Sequence, residues 1–201
     1  MSSIKLNIYC VTNKVVRDLE NTNLKLAAVG KNNFPENYLQ SNTKDNIFFK
    51  EKNYSELTFH YWYWKNILDL KDTSWNGFSQ RRRHWIKSTS KKKDINNYNL
   101  ADHILVKPEN DWEKYESIIC APLRVNQVKK MKILKRGFKS MIKNPSILFD
   151  ENKQNLQLHF DMHHGYGNLK KAIRVLDKED RDDFDDYVNS KTKFNPHIMY
   201  I

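Results

Sequence analysis

Ile4-Lys5-Leu6-Asn7-Ile8-Tyr9-Cys10-Val11 begins as an alternation of apolar and polar side chains, ends as an unbroken apolar run, and stops at Thr12-Asn13-Lys14. Alternation that turns continuous is the pattern of a strand covered on both faces, so the chain is expected to fold as an α/β protein. The polar triplet is then a turn at the strand's carboxyl end, and in open α/β sheets ligands bind outside those ends. Residues 24–29 read as a second short strand, followed by a polar loop through Asn46.

Farther out lies a stretch dense in aromatic residues, from Asn53 to Trp85. Tyr54, Leu57, Tyr61, Trp64 and Leu68 recur at three- and four-residue steps, which predicts one apolar helix face. Asn53 or Ser55 is placed to cap its start. On that reading Trp62 and Tyr63 point away from the core and are the better candidates for stacking on a sugar. Trp75-Asn76-Gly77-Phe78 opens a strand that ends in Gln80-Arg81-Arg82-Arg83. After the polar, lysine-rich loop 87–98, residues 101–106 read as another strand, with Asp102 at its start.

Between Val125 and Ile142 the residues Val128, Met131, Leu134, Phe138, Met141 and Ile142 keep helical spacing while lysines occupy the other faces. This predicts a basic amphipathic helix, weakened by Gly137, with two readings: an ordinary packed helix, or a surface that meets anionic lipid through residues 125–143. Further helices are expected over 168–176 and 178–188, the second with a solvated acidic face at Asp182, Asp183, Asp185 and Asp186. The apolar run 194–201 reads as a closing strand, which raises the expectation of a truncated C-terminus or of a partner covering that edge.

A chain of 201 residues is expected to form one domain over 1–201. Lys and Arg total 35 against 24 Asp and Glu, a net charge of +11, which favours polyanionic partners without choosing among nucleic acid, lipid headgroups and nucleotide phosphates. Cys10 and Cys120 have no metal or redox spacing, and Cys10 is expected to be a buried thiol in a reducing compartment. No run approaches the roughly 20 apolar residues that cross a bilayer, and no cleavable leader is visible, so the expected location is the cytoplasm, with peripheral membrane contact through the basic helix.

At the residues just quoted the chain resembles a bacterial family of uncharacterised domains assigned to capsule and exopolysaccharide glycosyltransferases. Its members open with Val-Thr-His-Lys, here Val11-Thr12-Asn13-Lys14. They continue with Tyr-x-Glu-x-Thr-x-x-Tyr-Trp-x-Trp-Lys-Asn, here Tyr54, Glu56, Thr58, Tyr61-Trp62 and Trp64-Lys65-Asn66. A strand end Gly-Leu-x-His-Tyr-Arg-Arg-Tyr-Phe corresponds to Gly77-Phe78-Ser79-Gln80-Arg81-Arg82-Arg83-His84-Trp85. His163-His164 and Met199-Tyr200-Ile201 are similar to later segments. Asn13 and Gln80 stand where the family has histidines, and Arg81 where it has tyrosine; if either histidine is catalytic in relatives, this chain uses another residue or has a different activity. The resemblance implies a single Rossmann-like domain of the GT-A type with a mixed, mostly parallel sheet, acting on a nucleotide-sugar donor and a glycan or lipid-linked acceptor.

Transfer of a sugar from a nucleoside diphosphate builds negative charge on the leaving group, so cations must be fixed where it develops. With no Asp-x-Asp at the strand end, Arg82 and Arg83, helped by Lys14 or Lys65, are expected to neutralise the diphosphate, and no cofactor is favoured, manganese or magnesium being the alternative. Thr12, Asn13, Gln80 and Arg81 complete the expected donor contacts. Glu56 is the candidate base or acceptor-positioning group, on the expectation that a carboxyl among aromatics has a raised pKa; pairing with an arginine of the next strand is the structural alternative. Tyr54, Trp62, Asp102, Asp161, His163 and His164 are expected donor or acceptor contacts, and Asp161 with His163 the only metal candidates, on a weak pattern. Two rival functions are a nucleic-acid-binding or RNA-processing protein, and an inactive sugar-nucleotide-binding domain.

Overall fold

The computed structural model describes residues 4–195, 197 and 199–201. The chain divides into two compact units, Met1–Cys120 with His197–Ile201, and Ala121–Pro196.

In the first unit β1 (Leu6–Thr12) is the middle of the design. It pairs in parallel with β2 (Lys25–Ala28) on one side, and β2 with β3 (Leu39–Gln40) beyond it. After α1 (Glu51–Tyr54) and α2 (Leu57–Asn66) the chain returns as β4 (Trp75–Gln80), parallel to β1 on its other side. The order β3-β2-β1-β4 makes an all-parallel sheet of four strands whose direction of winding reverses between β1 and β4. The α/β class and the parallel sheet flanked by helices are thus as expected.

β1 is buried along almost its whole length because both faces are covered, and its side chains sort by parity. Ile8 and Cys10 join Leu19, Leu26, Ile104 and Ile201 on one face. Tyr9 and Val11 join Phe59, Trp62, Tyr63 and Phe78 on the other. Period-two alternation therefore puts two hydrophobic layers on one strand. Cys10 lies in the first layer, buried as expected, and burial pushes its thiol up to about 11.

Two expectations in this unit need correction. The face of α2 that meets the sheet carries Thr58, Phe59, Trp62 and Tyr63, while Tyr54, Leu57, Trp64 and Leu68 stay substantially exposed. The segment is so rich in apolar residues that it offers two helical stripes. The winning stripe sets the Tyr63 ring 4.9 Å from Tyr9 and the Phe59 ring 5.6 Å from Trp62, so aromatic packing decides the choice. The helix is also interrupted at Ser55 rather than capped there. Second, residues 101–106 are not a strand: Leu100–His103 form α3, one helical turn, and Ile104 makes an isolated bridge to Ile86 before Leu105 enters the core.

The closing run 194–201 falls partly on Pro196 and Ile198, which lie outside the described residues. Tyr200 O accepts from the Phe78 N–H at 2.8 Å, and Ile201 exchanges backbone bonds with Ile118, so Tyr200 and Ile201 lie along β4 and cover its edge from within the chain.

The second unit is helical. β5 (Leu123–Arg124) and β6 (Lys193–Phe194) form a short antiparallel pair. Between them come α4 (Lys130–Arg136), α5 (Phe138–Lys143), α6 (Leu156–His164), α7 (Asn168–Ile173) and α8 (Lys178–Ser190). The expected basic helix is two short ones, broken at Gly137, where a side chain would press on Met162 of α6. Its buried residue is Ile133; Met131, Leu134, Phe138 and Ile142 face outward. α6 had no counterpart in the sequence reading; Asn155 starts it by accepting from the Leu158 N–H at 3.0 Å. On α8, Asp182, Asp183 and Asp186 are exposed, as a solvated face requires, while Asp185 is half-buried.

Candidate active site

Where the winding reverses, the connections leaving β1 and β4 part in opposite directions and leave a crevice, the expected ligand position in open α/β sheets. A cavity of about 280 Å³ lies there, lined by Val11, Thr12, Asn13, Ser55, Glu56, Gln80, Arg81, Arg82 and Arg83. The register explains the convergence. Val11 stands opposite Gln80 and Thr12 opposite Ala28, so the parallel strands finish together and their next residues share one rim.

Each wall is held locally. The Thr12 hydroxyl donates to Lys14 O at 2.6 Å and accepts from the Lys14 N–H at 3.1 Å, closing the turn after β1. That hydroxyl is committed to the turn, so Thr12 shapes the rim. Gln80 and Arg83 exchange both backbone bonds, at 3.1 and 3.0 Å, making a tight turn that spreads the three arginines around the opening. Glu56 starts α2 and its Oε2 accepts from Gln80 Nε2 at 2.7 Å. The partner of Glu56 on the next strand is therefore an amide, not the arginine that the structural alternative supposed. The helix N-terminus at Ser55 and Glu56 adds partial positive charge to the arginines. Three guanidinium groups, one helix end and a single positioned carboxylate suit an anion beside a group that must be activated.

Ser55 holds the rim at φ +44 and ψ −119, a conformation that a side chain disfavours. Such residues cost about 1–3 kcal/mol and cluster at functional sites. Ser55→Gly is expected to raise stability by roughly 1 kcal/mol in urea unfolding. A fall instead would show that the side chain holds the turn.

Asn13 O accepts from Asn32 Nδ2 at 2.7 Å. Asn32 lines a second concavity of about 350 Å³ at the carboxyl ends of β2 and β3, with Gly30, Lys31, Phe34, Gln40 and Phe48. The two cavities share that wall. Sequence reasoning treated these residues only as a polar loop; their signal was their place directly after a strand.

Seven of the expected site residues thus come together: Thr12, Asn13, Glu56, Gln80, Arg81, Arg82 and Arg83. The others stand elsewhere. Trp62 is buried in the core and its indole N–H donates to Thr43 O at 2.9 Å, and Tyr63 is buried beside it, so neither offers a stacking face. Lys65 lies 3.8 Å over the exposed Trp64 ring, and Lys14 and Tyr54 are exposed outside the cavity lining. Asp102 sits exposed on α3.

In the second unit the Asp161 carboxylate is buried and accepts from Gln157 Nε2 and the Gly167 N–H, both at 2.9 Å, and from Ser140 Oγ at 3.3 Å. It ties the Gly165-Tyr166-Gly167 turn to α5 and α6. His163 Nδ1 bonds His159 O at 2.8 Å and its ring lies against His159, while His164 is exposed and packs on Phe160. Asp161 and His163 also line a cavity of about 640 Å³ with Arg136, Lys139, Ser140 and Tyr166. Among the described residues no cluster of three or more His, Cys, Asp or Glu side chains is arranged to hold a metal ion, and no helix is long and apolar enough to cross a membrane.

Residues 7–201 match the model of a family described as a domain of unknown function, DUF4422. The chain belongs to the DUF4422 family. No curated protein matches it. Among solved structures this DUF4422 chain is similar to the apo structure of a bifunctional glycosyltransferase, WbbM, at 16% identity and a TM-score of 0.47. That likeness covers 99% of this chain and 33% of the other, so the DUF4422 chain spans about a third of the WbbM chain's length.

Proposed function

We propose that the protein is a nucleotide-sugar-dependent glycosyltransferase whose donor diphosphate occupies the cavity between β1 and β4. The observation that carries this reading is the convergence of Arg81, Arg82, Arg83 and Glu56 at the reversal point of the parallel sheet. Arg82 and Arg83 neutralise the leaving diphosphate, since guanidinium groups grip phosphate oxygens in pairs. Gln80 orients Glu56 so that its carboxylate takes the proton of the acceptor hydroxyl as the glycosidic bond forms. The adjoining concavity behind Asn13 and Asn32 receives the nucleoside. The acceptor is a glycan or lipid-linked glycan. The arginines perform the electrostatic work without a divalent ion.

A thermal-shift screen of nucleoside diphosphates and nucleotide sugars, each with manganese or with EDTA, tests this directly. One nucleotide series is expected to stabilise the protein in EDTA as well as in manganese. Arg82→Ala is expected to weaken that ligand about 10- to 100-fold, the worth of a charge-assisted hydrogen bond. Glu56→Gln should leave donor binding intact and lower turnover by roughly 10²–10⁴. Absence of any nucleotide shift, together with steeply salt-dependent binding to single strands, would replace this reading with the nucleic-acid one.

A further inference from the structure

The second unit keeps its charges apart. Between Glu116 and Asp150 the chain has eight Lys or Arg and no acidic residue. Six of those cations, Lys130, Lys132, Lys135, Arg136, Lys139 and Lys143, stand on α4 and α5. Acidic side chains crowd α8 instead, and α6 packs against both α4 and α8.

Within α4 and α5 the outward residues sort into two stripes. Met131, Leu134, Phe138 and Ile142 follow one another at steps of three, four and four, so they share a side. They are 61%, 38%, 54% and 62% exposed. Lys132, Lys135, Lys139 and Lys143 repeat the same steps one residue farther on, which lays a cationic stripe beside the apolar one. The spacing survives the break at Gly137, because the Gly137 N–H bonds Ile133 O at 2.7 Å and the Met141 N–H bonds Gly137 O at 2.8 Å. Ile133 points the other way and is fully buried with Ile147, Leu158 and Met162. The core is therefore served by a different face, and folding of this unit does not account for the apolar stripe. Phe149, largely exposed under the Lys130 ammonium at 4.9 Å, adds a further apolar side chain beside α4.

We propose that this face docks the protein on an anionic lipid bilayer. Met131, Leu134, Phe138 and Ile142 enter the boundary between headgroups and acyl chains, and the lysines beside them meet the headgroup charges from their flexible stems. Met, Leu and Ile have no flat face on which a base stacks and gain nothing from phosphate, whereas transfer to hydrocarbon rewards them. α4 and α5 carry no carboxylate of their own to repel a negative surface, and the Asp161 carboxylate beside them is buried and hydrogen-bonded. The inference does not depend on the donor cavity, which lies in the first unit.

Co-sedimentation of the full chain with phosphatidylcholine vesicles, with and without phosphatidylserine, tests it. Binding is expected only to the anionic vesicles, and it should weaken as salt rises. Phe138→Ser with Ile142→Ser, and separately Lys135→Glu with Lys139→Glu, are each expected to lower the partition coefficient about tenfold or more. All four positions are exposed, so thermal melts of both double variants should match the parent. Equal pelleting with neutral vesicles, no pelleting with either kind, or pelleting untouched by the serine substitutions would overturn the proposal. Capture of single-stranded RNA without vesicle binding would overturn it too and assign the lysines to nucleic acid.

Discussion

Acidification from pH 6.5 to about 4 is expected to remove roughly 3 kcal/mol of stability through one side chain, His60. His60 lies on α2 with its ring 4.3 Å from Phe78 and its Nδ1 2.9 Å from the Tyr200 hydroxyl. Burial disfavours the imidazolium and lowers the pKa from 6.5 to about 4. Between those values the unfolded chain binds a proton that the folded chain excludes. The stabilisation is therefore complete above 6.5, shrinks as the pH falls through the window, and is gone below about 4. His84 and His159 are shifted downward as well, chiefly by burial, so the informative quantity is a difference between proteins. Urea unfolding across this range, compared between the parent and His60→Gln, isolates the His60 contribution. The variant should start less stable and show a flatter profile; an identical slope in both would exclude His60 as the source.

Gly77→Ala is expected to cost ~3 kcal/mol and, for a chain of this length, to lower the melting temperature by roughly 6–12 °C. A Cβ at this position would fall on Ile201 Cγ1, with Ile201 Cβ at 3.0 Å and Tyr200 O at 3.1 Å. None of these can retreat freely. Tyr200 O is bonded to the Phe78 N–H, and Ile201 is bonded to Ile118 through both its N–H and its carbonyl. Elsewhere in a strand the exchange of glycine for alanine gains a few tenths to 1 kcal/mol from lost freedom of the unfolded chain, so the sign here belongs to the clash. Calorimetry of Gly77→Ala, Ile201→Ala and the double variant gives the cycle. The double variant should be more stable than the sum of the two losses predicts. A melting temperature for Gly77→Ala within a degree of the parent would show that the closing segment does not sit on β4.

What was legible in the sequence were features decided by neighbours along the chain. The β1 pattern announced a doubly covered strand, the polar turn after it announced the site, and Arg81-Arg82-Arg83 announced its charge. The cavity then follows from topology, since the reversal between β1 and β4 brings Asn13, Glu56 and Arg82 to one rim. What was not legible depends on distant partners. Two stripes of α2 were apolar enough to pack, and Tyr9 and Phe78, far away in sequence, selected the one with Trp62 and Tyr63. In α4 and α5 the buried position was Ile133, whose complement on α6 no local periodicity reveals. Residues 101–106 have strand composition but only a bridge to Ile86, because no neighbouring strand is there to extend the ladder. The Glu56 partner was unreadable because it required knowing where β4 ends relative to α2.

The pairing of Phe78 with Tyr200 also orders events in time. More than a hundred residues separate the two, and the whole of Ala121–Pro196 is made between them. On the ribosome, β1 to β4 emerge long before the segment that covers the β4 edge, while the helical unit has every residue it needs as soon as it leaves the exit tunnel. Contacts so far apart in sequence close slowly. The sheet that carries the site therefore closes its β4 edge only after the helical unit has been made, and until then that edge stands open to chaperones and to mispairing.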